Sequence, residues 1–138
     1  MQVQEIIRTH PDVRGNTNDS LIACIEACYE CAQTCTVCAD ACLAEGMVKE
    51  LLQCIRLNLD CADACAAAGA IASRRTGGNE AVLVSILETC ALACRECGAE
   101  CMQHARQHEH CRICADACRR CEEASRSAIR SIGPARRQ

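Results

Sequence analysis

Residues 24–42, CIEACYECAQTCTVCADAC, decide how this chain folds. The cysteines stand at Cys24, Cys28, Cys31, Cys35, Cys38 and Cys42, so the steps between them are 4, 3, 4, 3 and 4. A helix returns to one face every three or four residues, a strand every two. The spacing therefore predicts a long helix with all six thiols on one stripe.

The rhythm recurs down the chain. Cys54, Cys61 and Cys65 form a second set, Cys90, Cys94, Cys97 and Cys101 a third, and Cys111, Cys114, Cys118 and Cys121 a fourth. Every step within a set is 3, 4 or 7. CTVCADAC (35–42) and CRICADAC (111–118) share one pattern, CRECGAEC (94–101) repeats its spacing, and CADAC returns at 61–65. Duplication of a helical unit is the economical explanation.

Gly15-Asn16, Gly46, Gly77-Gly78-Asn79 and the run Gln107-His108-Glu109-His110 divide four segments, 18–45, 47–75, 80–105 and 109–132. These are rich in Ala, Leu, Glu, Arg and Gln, which favour helix. Pro11 and Pro134 lie near the ends and break nothing inside. Asn18, Asp19 or Ser20 suits the N-cap of the first helix and Asn79 that of the third, while Gly46 and Gly77 suit helix stops. Short connections imply antiparallel neighbours. The expected fold is all-α: one domain over 1–138, an up-down-up-down antiparallel four-helix bundle with a cysteine-lined core, plus a short extra helix in the first ten residues.

The core must be built without Phe or Trp, and with one aromatic side chain, Tyr29. Free cysteine packs as a small hydrophobe, so the 17 thiols are themselves core material. The net charge of −3, with no aromatic platform for bases, speaks against a nucleic-acid partner. Arg119, Arg120, Arg126, Arg130, Arg136 and Arg137 read as a solvated face and tail. MQVQEIIRTHPDVRGN lacks the apolar run of a signal peptide, and no stretch reads as a membrane span. The expected setting is the cytoplasm, where thiols stay reduced. The odd cysteine count fits a disulfide framework poorly.

Metal binding suits the stripes better. Structural zinc takes closed sites of four ligands, usually set by turns, and iron–sulfur motifs also rely on loops. A continuous helical column of thiolates suits a soft ion of low coordination number, and Cu(I) is the natural candidate. One Cu⁺ replacing one thiol proton leaves the core's charge unchanged, whereas Zn²⁺ at that ratio accumulates charge in a low-dielectric interior. If sulfurs bridge, capacity approaches roughly one ion per thiolate.

The bundle's two ends differ. The 43–47 and 102–110 connections share one end, with Met47, Met102, His104, His108 and His110. His104 and His108 continue the register of Cys101, His110 lies four before Cys114, and Met47 lies seven before Cys54. The metal-ligand set read from sequence is therefore the 17 cysteines with His104, His108, His110 and Met47 as the mouth. Leu21, Ala68, Ala72, Leu83, Ile86, Leu87, Ala128 and Ile132 read as an apolar plug at the opposite end. The second stripe is the thinnest: Asn58 and Leu51 occupy slots that would take cysteine, and Asn58 reads as a tolerated gap.

With these motifs the sequence resembles the cysteine-rich four-helix-bundle copper storage proteins of bacteria, from residue 18 to about 130. The match rests on the repeated CxxCxxxC and CADAC motifs and the His-rich stretch between Cys101 and Cys111. The resemblance implies a homotetramer of bundles, each filled with Cu(I) through one open end, and it points to the cytosolic members, which have no signal sequence. The rival readings are a zinc or general thiolate metal buffer and, in another class, an iron–sulfur or thiol redox protein. Reactive CxxC pairs sit at exposed helix N-termini. Here nearly all the pairs fall mid-helix and inward, and Asp40, Asp63 and Asp116 read as outward or helix-flank residues. No enzyme activity is expected.

Overall fold

The computed structural model describes residues 2–132; Pro134, Arg136 and Arg137 lie outside them. Five α-helices follow in order: α1 (Val3–Arg8), α2 (Asp19–Leu43), α3 (Leu52–Ser73), α4 (Glu80–His104) and α5 (Glu109–Ile132). The four long helices close a ring in which α2 packs on α3, α3 on α4, α4 on α5 and α5 on α2. This is the antiparallel four-helix bundle that the spacing predicts, and α1 is the short extra helix. It lies against α2 with Ile7 buried, and Val13 in the segment between them is buried too.

Asn18 starts α2. It adopts a left-handed conformation (φ 55°), and its side-chain oxygen accepts from the Leu21 N–H at 3.2 Å. Its Nδ2 also donates to Ser131 Oγ at 3.2 Å, tying the start of α2 to the end of α5. Asn79 takes the N-cap position of α4 as expected, but its side chain makes no capping bond. Gly77 carries a positive φ of 68°, in the α3–α4 turn rather than directly at a helix stop. Gly46 has no such conformation and lies beyond the end of α2.

The second long helix begins five residues later than its spacing suggests. Residues 44–47 turn and Val48–Leu51 form a 3-10 turn before α3 starts at Leu52. Leu51 is buried, whereas Met47 lies in the turn with 46% of its surface exposed. Met47 is therefore not in helical register with Cys54, contrary to what its spacing predicts.

α2 is also long and apolar enough, by length and composition, to cross a membrane, contrary to the expectation from the sequence. Much of that apolar character is its six cysteines, all buried inside the bundle.

At the end of the ring where α2 begins, Leu21, Ile22, Ile25, Ala68, Ala72, Leu83, Val84, Leu87, Ala128 and Ile132 are buried; Ile86 is only half-buried. The expected apolar plug is there. Nearby, Gly69 lets α2 and α3 approach closely: a Cβ on it would lie 3.0 Å from the Tyr29 ring. The 44–51 and 105–108 connections meet at the opposite end.

Candidate metal centre

All 17 cysteines are buried and none is paired in a disulfide. Within single helices, Cys24–Cys28, Cys31–Cys35 and Cys61–Cys65 bring their sulfurs to 3.8 Å, and Cys97–Cys101 to 4.0 Å. A disulfide needs about 2.05 Å. Three sulfurs around one ion at the zinc–thiolate bond length of about 2.3 Å would stand about 4.0 Å apart, so the spacing is that of shared ligands.

Contacts between helices knit the stripes into one column. Next to the plug, Cys90 lies 3.5 Å from Cys65 and 3.8 Å from Cys28, and Cys121 lies 3.8 Å from Cys65. Further on, Cys61 meets Cys94 at 3.7 Å, and Cys118 meets Cys35 at 3.7 Å and Cys31 at 3.9 Å. Cys35 meets Cys114 at 3.7 Å, and Cys54 meets Cys101 at 3.7 Å. Compact four-sulfur groups result, among them Cys31, Cys65, Cys94 and Cys121, and Cys35, Cys97, Cys114 and Cys118, with donor atoms within 4.8 Å of one another.

Two polar side chains sit inside the column. Asn58 is fully buried; its Oδ1 accepts from Cys97 and Cys114, each at 3.1 Å, and from Cys101 at 3.7 Å, and its Nδ2 donates to Cys54 at 3.6 Å. It is not the tolerated gap that the sequence suggested. Its amide occupies the missing rung and binds the sulfurs around it. Ser125, also fully buried, lies 3.6 Å from Cys24 and donates to Cys90 at 3.7 Å. It was missed in the sequence, although it stands four residues after Cys121 on the same stripe.

At the mouth, Cys38, Cys42, Cys111 and His110 form a mixed group within 4.8 Å. His110 Nδ1 lies 3.4 Å from Cys38 Sγ and 3.6 Å from Cys111 Sγ. A cavity of about 280 Å³ between α2 and α5 reaches Cys38 and His110 beside Val37 and Ile113. His104 ends α4 and pairs with Glu100 at 3.0 Å. His108 lies in the non-helical connection, so the sevenfold register from Cys101 does not reach it as helix; its Nδ1 meets Glu45 at 3.0 Å. His104, His108 and His110 thus gather at one end, held by Glu100 and Glu45, whose part the sequence did not suggest.

The sequence model of the copper storage protein family matches residues 17–130. The chain belongs to the copper storage protein family. Ccsp of Streptomyces lividans, a copper storage protein solved with 10 copper equivalents, shares 48% identity at a TM-score of 0.89, over 93% of this chain and 98% of that one. A structure of a cytosolic copper storage protein from the same organism, loaded with five coppers, shares 50% identity at a TM-score of 0.82 over 83% of this chain and 96% of that one. A curated cysteine-rich protein of Bacillus subtilis (strain 168), YhjQ, is 42% identical over 105 residues, 76% of this chain and 92% of its own length.

In this copper storage protein the thiols do not titrate alike. A hydrogen bond from Cys101, helped by Cys38, holds the Cys54 thiol down to about 3 against the effect of burial. Burial, then the charge of Cys54, pushes Cys42 up to about 11. Burial also raises Cys111, with the charges of Cys42 and Cys54 adding to it. Proton and thiolate are thus shared along the column, and a metal that enters displaces protons from its neutral members. Glu45 is held below the usual carboxylate range, chiefly by the hydrogen bond from His110. Outside, Arg112 pairs with Asp116, Arg126 with Glu122, and Arg120 reaches Glu30 on α2. The arginines of α5 in these pairs form a solvated face, and Asp40, Asp63 and Asp116 stay off the thiol column.

Proposed function

We propose that this protein stores Cu(I) inside its bundle as thiolate-bound ions, taken up through the histidine end. The carrying observation is the column of 17 buried, unbridged thiols with neighbouring sulfurs 3.5–4.0 Å apart. The ligand set is the 17 cysteines, with His104, His108 and His110 at the mouth and Met47 on its rim. Soft thiolates select Cu(I), and each Cu⁺ that replaces a thiol proton adds no charge to the interior. Contacts of this length let an ion pass inward by exchanging one sulfur for the next. The apolar plug closes the other end and holds the helices together without metal, so that the site is formed before the ions arrive.

The setting that fits is a reducing cytosol, where thiols do not oxidise; the Streptomyces relative is described as cytosolic. The chain acts as one domain over 1–138. The family resemblance supports a homotetramer, and Leu52, Leu59, Val82 and Leu92 on the outside of α3 and α4 offer apolar surface for contacts between bundles. The role is one of binding, with no catalytic group assigned.

The test is an anaerobic Cu(I) titration of reduced apo-protein against a chromogenic Cu(I) chelator, with helicity followed throughout. Many ions bound before the chelator colours, in a protein already helical without metal, is the expected result. Uptake of only a few ions, or helices that form only with Zn²⁺, would replace storage of Cu(I) with a zinc-buffer reading.

A further inference from the structure

The histidine end contains a group outside the ligand set. Glu45 lies two residues beyond α2, where its N–H donates to the Cys42 carbonyl at 3.2 Å. Its Oε2 is 2.9 Å from His110 Nε2 and 3.0 Å from His108 Nδ1. A single carboxylate therefore ties the α2–α3 connection to the α4–α5 connection and holds two imidazoles stacked with their centroids 5.5 Å apart. We propose that Glu45 is a positioning residue for the mouth site: it fixes the tautomer and ring orientation of His110 so that Nδ1 presents its lone pair to Cys38 and Cys111.

A neutral imidazole carries one N–H and one lone pair, and a carboxylate accepts only. With Nε2 facing Glu45, the proton resides there and Nδ1 is left bare, 3.4 Å from Cys38 Sγ and 3.6 Å from Cys111 Sγ. Without the carboxylate the ring is free to take the other tautomer, in which Nδ1–H points at the sulfurs and cannot bind an ion. His104 is arranged in the same way, its Nε2 held by Glu100 at 3.0 Å with both side chains mostly buried. Carboxylates that accept from a ligating histidine commonly set its tautomer and raise its basicity, and their loss weakens metal binding 10–100-fold.

This assignment rests on the mouth being a Cu(I) site, and the experiment separates the two. Nitrogen-15 spectra of reduced apo-protein should show His110 as the Nε2–H tautomer, and Glu45→Ala should give a tautomer mixture. In chelator competition Glu45→Ala should weaken the mouth site about tenfold, and the same substitution should have no effect in a His110→Ala background. If the Glu45→Ala protein loses helicity, Glu45→Leu, which also lacks an acceptor, takes its place. An unchanged tautomer, or a full effect that persists without His110, overturns the role of Glu45. Wild-type protein that takes up no Cu(I) overturns the storage reading instead.

Discussion

Asn58 shows what a single side chain does in a column of sulfur. A buried carboxamide is costly unless its donors and acceptors are met. Asn58 meets them with thiols from three helices, Cys54 on its own, Cys97 and Cys101 on α4, and Cys114 on α5. Asn58→Ala opens a cavity and removes the acceptor of these thiols. Thermal unfolding of the apo-protein should show a loss of about 2 kcal/mol; a loss under about 0.5 kcal/mol would mean that the amide merely fills space. The thiols were legible one by one because period alone places them. Asn58, Ser125 and Glu45 were not, for a physical reason. A cysteine on an inward stripe has one fate, whereas a polar residue's part depends on which groups other helices and connections bring to it. Met47 failed for a related reason: its register assumed a helix where the chain makes a turn.

Among the elements, the long helices were readable because their signal is repeated many times, and the connections were not, because each depends on a few residues. The late start of α3 and the unused side chain of Asn79 both fall there. The readable apolar ends of the helices carry a prediction. Leu87 on α4 is fully buried in the plug, away from the mouth. Leu87→Ala should lower apo-protein stability by about 2–5 kcal/mol, seen in chemical unfolding, while copper loading at a temperature where the variant stays folded keeps its wild-type capacity. A matching loss of capacity would show that plug and column are not separable parts.

At the scale of the molecule, the thiols couple stability to pH. Cys42 is raised from 9.0 to about 11 and Cys111 is raised as well. Below pH 9 both are protonated in the folded and unfolded chain alike, and their contribution is fully present. Above it the unfolded chain releases these protons while the folded one keeps them, so stability falls as pH rises from 9 towards 11. The melting temperature of apo-protein should drop across that window, and that of Cu(I)-loaded protein, whose thiol protons are already displaced, should not. A flat apo profile would mean that these thiols are not raised. The ring of helices was legible at this scale because four inward stripes admit few other arrangements. The apolar plug of Leu21, Leu87, Ala128 and Ile132 leaves the column blind at that end. If ions enter and leave only at the histidine end, as proposed, the tube is a last-in, first-out stack: what arrives late must leave before what arrived early. Such a vessel keeps a memory of order, with a quickly exchanging top and a bottom withdrawn from circulation until everything above it has gone.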